Sequence, residues 1–177
     1  MTRRNVLKIS AALPLARFAS AFQGSGKRAS PHETVSVELS GKTISIVYGR
    51  PYLKGRSAGK EVAPFGQVWR LGADEATKIT VQGETLIGDI KLSPGSYSLF
   101  AIPGSEKWII IVNKVADQWG AFKYDQSQDL GRFDARVEKT SAPVEEFTIS
   151  LGKESGKAAK LTFAWGGESV STTLKSV

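Results

Sequence analysis

The sequence predicts an all-β fold: an antiparallel β-sandwich of about ten short strands, jelly-roll-like or a partly closed barrel. Three observations point there. From Thr34 onward apolar and polar residues alternate with period two. Clusters of Gly, Pro and Ser punctuate the alternating runs. Beyond the first 21 residues no stretch reads as a convincing amphipathic helix.

Taken in order, Val35, Val37 and Leu39 alternate with Ser36 and Glu38. Ile44 and Ile46 flank Ser45 and run into Val47 and Tyr48, while Ile79 and Val81 flank Thr80. Residues 97–102 and 108–112 are apolar on both faces, as covered central strands are. Phe133, Ala135 and Val137 follow, then Phe147, Ile149 and Leu151, then Leu161, Phe163 and Trp165, and last Val170, Thr172 and Leu174. Turns are expected at Ser40-Gly41-Lys42, Gln82-Gly83-Glu84, Ser93-Pro94-Gly95, Pro103-Gly104-Ser105 and Gly166-Gly167. Residues 121–131 have room for one turn of helix. The longest non-alternating stretch, residues 49–76, is where a functional loop is expected.

Residues 1–21 read as an export signal. Arg3 and Arg4 precede a short apolar run, a pattern similar to the twin-arginine export motif, and the run is too short to span a bilayer. Ala19-Ser20-Ala21 supplies the small-x-small cleavage pattern, placing the cut between Ala21 and Phe22. Residues 22–30 form a flexible leader and residues 31–177 a single domain. The expected product is soluble and periplasmic or extracellular, with no transmembrane segment once the signal is removed.

The 177 residues carry a formal charge of +7, with 24 Lys plus Arg, 17 Asp plus Glu, one His and no Cys. The signal holds Arg3, Arg4, Lys8 and Arg17 and no acid, so the mature chain is near +3. That argues against a nucleic-acid partner. Absence of cysteine excludes disulfides, thiolate metal sites and cysteine nucleophiles. The single histidine, His32, excludes a multi-histidine metal centre. No metal or cofactor is expected, and the sequence carries no signal for oligomeric state.

Residues 50–56 (Arg50-Pro51-Tyr52-Leu53-Lys54-Gly55-Arg56) and 64–77 (Pro64-Phe65-Gly66-Gln67-Val68-Trp69-Arg70-Leu71-Gly72-Ala73-Asp74-Glu75-Ala76-Thr77) resemble the bacterial family called domain of unknown function 2911. The likeness extends to Ser30-Pro31-His32-Glu33-Thr34, residues 94–103, Trp108, Asn113 and Gln118-Trp119-Gly120-Ala121. It implies an exported β-rich domain and no particular reaction. Two departures stand out: Asp74 occupies a position where the family has Asn, and residues 57–61 lack the family's Phe-Gly pair.

The candidate ligand site is Arg50, Lys54, Arg56, Trp69, Arg70, Asp74 and Glu75, joined by Trp119 in an expected loop. Arginine forks recognise carboxylates and phosphates, and an indole face stacks on a sugar. The structural alternative makes Trp69 core and pairs Arg70 with Asp74 or Glu75 to pin the loop. Trp108, Trp165, Tyr97 and Tyr124 read mainly as core. Residues 125–131 fail as an EF-hand, because Leu130 and Arg136 stand where Gly and Glu are needed. Residues 55–61 miss the phosphate-loop spacing, and His32 reads as a surface or strand-start residue. On a strand the adjacent Asp74 and Glu75 would face opposite ways, so a glycosidase-like pair needs a further acid such as Asp89, Asp117 or Asp125. The leading expectation is a non-catalytic envelope module that binds an anionic or sugar-like small ligand. The alternatives are a carboxylate hydrolase using Asp74 or Glu75, and a structural or protein-interaction domain.

Overall fold

The computed structural model describes residues 30–177. The predicted signal with Arg3 and Arg4, the Ala21–Phe22 cut and the leader up to residue 29 lie outside the described residues. Nine strands follow: β1 (His32–Leu39), β2 (Lys42–Gly49), β3 (Thr77–Val81), β4 (Thr85–Ile87), β5 (Ile90–Leu92), β6 (Gly95–Ile102), β7 (Lys107–Asn113), β8 (Asp129–Lys153) and β9 (Ala158–Ser176). They form one antiparallel sheet in the order β1-β2-β3-β6-β7-β8-β9-β4-β5, not closed into a barrel. The only helical turn among the described residues is a 3-10 turn, Gln126–Gln128.

Two sequence expectations are corrected. The four runs from Phe133 to Leu174 are two long strands, not four short ones, and the short hairpin β4–β5 was not anticipated. The Gly166-Gly167 turn is absent, because both glycines lie inside β9. Gly166 sits opposite Val144 with φ +62, where the β8–β9 register shifts. Glycine here makes a bulge that bends a continuing strand pair instead of ending it.

The fold line lies earlier in β8, between Arg136 and Val137. Residues 129–136 of β8 pair with β7, and residues from 137 onward pair with β9. The far half of the sheet therefore folds over the near half, and one core forms between them. Ile46, Ile79, Leu99 and Ile110 share it with Phe147, Leu161, Phe163 and Leu174. The first hairpin behaves as its sequence demands: Ser40 and Gly41, both at positive φ, form a two-residue turn between the paired Leu39 and Lys42.

Tyr48 ties the layers polar atom to polar atom. Its buried hydroxyl accepts the Ile149 N–H of β8 at 2.9 Å and donates to the Glu33 carboxylate at 3.0 Å. Burial pushes its pKa up to about 12. The opposite, outer face of β6–β7 is also apolar. Phe100 and Ile111 point outward, are fully buried, and pack with Ala76 beneath Val68, Ala121 and Tyr124. Loops cover these strands on the outside, which puts residues 50–76 and 114–128 in contact and creates the site.

Removing the hydroxyl in Tyr48→Phe strands a buried backbone N–H, so unfolding free energy should drop by about 1–3 kcal/mol. Urea denaturation at unchanged m value measures this; an unmoved midpoint would show that the Tyr48–Ile149 link contributes nothing.

Candidate functional site

Trp69 fixes the first loop. Its backbone pairs with Ala101 of β6 in both directions, at 2.7 and 2.9 Å. Its ring stacks on Trp165 at 5.4 Å and meets Trp108 and Phe147 edge-on at 5.9 and 5.0 Å. The indole N–H donates to the Gly72 carbonyl at 3.1 Å, so the side chain also shapes the loop that follows it. Trp69 is a partly buried anchor packed against the core.

Residues 70–76 then turn tightly. Leu71 is fully buried at φ +53, and Asp74 has φ +62. Left-handed backbone costs a branched residue such as leucine more than aspartate, whose short polar side chain tolerates it. The Thr77 hydroxyl holds the Leu71 carbonyl at 2.6 Å, and the Thr77 N–H holds that of Arg70 at 3.1 Å. Against the end of β2 the loop packs backbone to backbone, with the Ala73 N–H on the Gly49 carbonyl at 3.2 Å. A Cβ at Gly49 would lie 2.3 Å from the Ala73 carbonyl oxygen, so only glycine fits.

This turn overturns the expectation that Asp74 and Glu75 face apart. The two-residue alternation holds on strands, and Asp74 lies in left-handed backbone outside any strand. Both carboxylates reach the ring of His32 at the start of β1: Glu75 Oε2 is 2.9 Å and Asp74 Oδ2 3.8 Å from Nε2. The three donor atoms lie within 4.8 Å of one another. His32 therefore starts a strand, as anticipated, and belongs to the site, which the sequence reading missed. The signal was present: His32 and the Asp74-Glu75 pair both fall in blocks of family likeness.

The second loop closes the other side. Glu75 pairs with Trp119 as an isolated antiparallel bridge, the Ala76 N–H donates to Gln118, and the Gly120 N–H donates to the Asp74 carbonyl at 2.9 Å. Arg70 Nη1 donates to that same carbonyl at 3.3 Å, so Arg70 contacts the Asp74 backbone and not its carboxylate. Gly120 is hemmed in by Arg70 Nη1 and the Phe122 ring. Trp119 is 59% exposed and Phe122 85% exposed, which sets two aromatic side chains in water beside the charged cluster.

The remaining predicted residues lie elsewhere. Arg50 ties β1 to β8: Nη1 meets Glu33 at 2.9 Å, Nη2 meets Glu146 at 3.3 Å and Thr148 at 3.0 Å, and Nε donates to the Phe147 carbonyl. Arg56 folds back on the Leu53 and Tyr52 carbonyls, and the Lys54 N–H binds Glu145. Trp108 and Trp165 are core. Asp125 caps the 3-10 turn through Ser127, a bond that lowers its pKa. Asp129 is held by Tyr124, Arg132 and Asn113, and Asp117 by Lys78.

The sequence pattern of the family described as "Protein of unknown function (DUF2911)" matches residues 30–174. The chain belongs to this family. No curated protein and no solved structure matches it. The DUF2911 match takes in His32, the whole 50–76 loop and Trp119, so the cluster and the loops that build it lie inside the family domain.

A methyl group at Gly49 cannot be placed without moving the 70–76 loop. Gly49→Ala should shift the His32 imidazole proton resonances, and it should destabilise the fold by at least about 1–3 kcal/mol. Unchanged His32 resonances in a folded Gly49→Ala protein would show that this contact does not position the cluster.

Proposed function

We propose that this protein is an exported module of the cell envelope that binds a sugar-like small ligand, without chemistry, at the surface formed by Arg70, Asp74, Glu75 and Trp119. One observation carries the reading. Trp119 is the exposed tryptophan, and a backbone bridge seats it directly beside Glu75. An exposed indole next to carboxylates and a guanidinium offers an apolar face for a pyranose ring, with acceptors and donors for its hydroxyls. The two carboxylates weigh against a strongly anionic ligand, and the guanidinium groups of Arg50 and Arg56, which favoured one, bind protein groups. They weigh against hydrolysis as well. Asp74 and Glu75 are neighbours that reach one imidazole, whereas a glycosidase sets its two acids on either side of the scissile bond.

Titrating a panel of neutral and acidic oligosaccharides by calorimetry should find a neutral binder. Trp119→Ala should weaken it at least tenfold, about 1.4 kcal/mol. A hit that survives both Trp119→Ala and Arg70→Ala would place the site elsewhere and sink the reading.

The export half of the proposal rests on Arg3, Arg4 and the Ala19-Ser20-Ala21 pattern. N-terminal sequencing of the exported protein should begin at Phe22, and changing Arg3 and Arg4 to Lys should leave precursor in the cytoplasm. Undiminished export of that variant would rule out the twin-arginine route.

A further inference from the structure

We propose that His32, Asp74 and Glu75 form a binding site for a divalent transition-metal cation of the Zn2+ or Mn2+ class. Donor chemistry comes first. One imidazole nitrogen and two carboxylate oxygens, contributed by β1 and the 70–76 loop, converge within 4.8 Å. Oxygen and nitrogen donors sharing one such ion sit about 2.0–2.2 Å from it and hence roughly 3–3.5 Å apart. The His32–Glu75 distance of 2.9 Å and the His32–Asp74 distance of 3.8 Å bracket that spacing. Small side-chain rotations bring the third edge in.

Hydrogen bonding supplies an independent reason. The imidazole Nε2 can give at most one proton, and it lies at bonding distance from Glu75. Asp74 Oδ2 is a buried atom with no hydrogen-bond donor, and Arg70, the nearby guanidinium, binds the Asp74 backbone carbonyl instead. A buried carboxylate oxygen left so costs about 1–3 kcal/mol or more. A divalent cation between the three groups satisfies that oxygen. Nε2 is the ring nitrogen that faces the acids, whereas Nδ1 is buried and unpartnered.

The donor set selects the ion. An imidazole favours zinc or iron over calcium and magnesium, which prefer oxygen alone, and the two carboxylates also suit manganese. Three protein ligands leave at least one position open. The cation site does not depend on a saccharide, and the saccharide reading needs no cation.

The single histidine makes the test clean. In the full chain carrying no affinity tag, Mn2+ at a small fraction of an equivalent should broaden the His32 imidazole resonances selectively. Zn2+ titrated calorimetrically without saccharide should bind with a stoichiometry of one, and a matching concentration of Ca2+ should not displace it. Asp74→Asn keeps a side chain that tolerates left-handed backbone, and with Glu75→Gln it should weaken Zn2+ binding at least tenfold while circular dichroism is unchanged. Asp134→Asn, at a remote pair with Lys107, should bind as the parent does. Absence of broadening and of heat up to millimolar metal would overturn the proposal. So would equal affinity in the Asp74 and Glu75 variants. Trp119→Ala should leave metal binding intact, which separates failure of this site from failure of the saccharide reading.

Discussion

Trp69 is where an irregular loop is attached to a regular sheet, and the geometry outside the sheet follows from that attachment. Its main chain continues the hydrogen bonding of β6 beyond the end of β3, and its ring packs against the core at Phe147, Trp108 and Trp165. Each such aromatic pair contributes about 0.5–1.5 kcal/mol beyond the area it buries. The next residues cannot drift, because the same indole also binds the Gly72 carbonyl. A loop held this firmly can retain two residues in left-handed backbone, each of which costs of order 1–3 kcal/mol. Without the anchor the turn would relax, and Asp74 and Glu75 would lose their common direction.

The charge of the chain sorts in the same way. Most of the loop's basic groups serve the fold. Arg50 binds acids from β1 and β8, joining layers that Tyr48 joins a few ångströms away through its hydroxyl. Arg56 stiffens the start of the loop through the Leu53 and Tyr52 carbonyls, and the Lys54 backbone N–H adds a bond to the Glu145 carboxylate. Only Arg70 stands with the acids, and even it steadies their backbone. The basic and aromatic cluster that looks like one constellation in the sequence is two in space, a cross-layer tie and an acidic site with an aromatic flank.

Strand content was legible because burial on one face imposes period two, and β1, β2 and β3 fall where that alternation lies. The apolar character of both faces of β6 and β7 was legible too, although loops rather than a second sheet cover the outer face. The lengths of the later strands were not. Alternation survives a bulge, and a glycine pair reads identically whether it ends a strand or bends one, as Gly166 does inside β9. The β4–β5 hairpin, at three residues per strand, is too short to show a period. In the site, Trp119 was recognisable as a loop tryptophan. His32 was not recognisable as a partner of Asp74 and Glu75, because 42 residues separate it from Asp74 and neither propensity nor spacing reports a contact across a sheet end.

What joins them is a backbone angle. Neighbouring carboxylates on an extended chain diverge, and their mutual repulsion favours that divergence. Here the chain takes the less favourable arrangement twice over: it places Asp74 in left-handed backbone, and it points two acids at one imidazole nitrogen that has at most a single proton to share. A turn required only to seal Phe100 and Ile111 could do so with apolar or amide side chains at these positions. Asn at residue 74, the amide expected from the family likeness, would accept the same φ and remove one of the two charges. Asp74 accepts the backbone as well but adds a carboxylate whose buried oxygen finds no donor among the described residues. The fold tolerates the angle for shape, while the charge has only the imidazole of His32, 3.8 Å away, to face, which is the arrangement the proposed cation would complete.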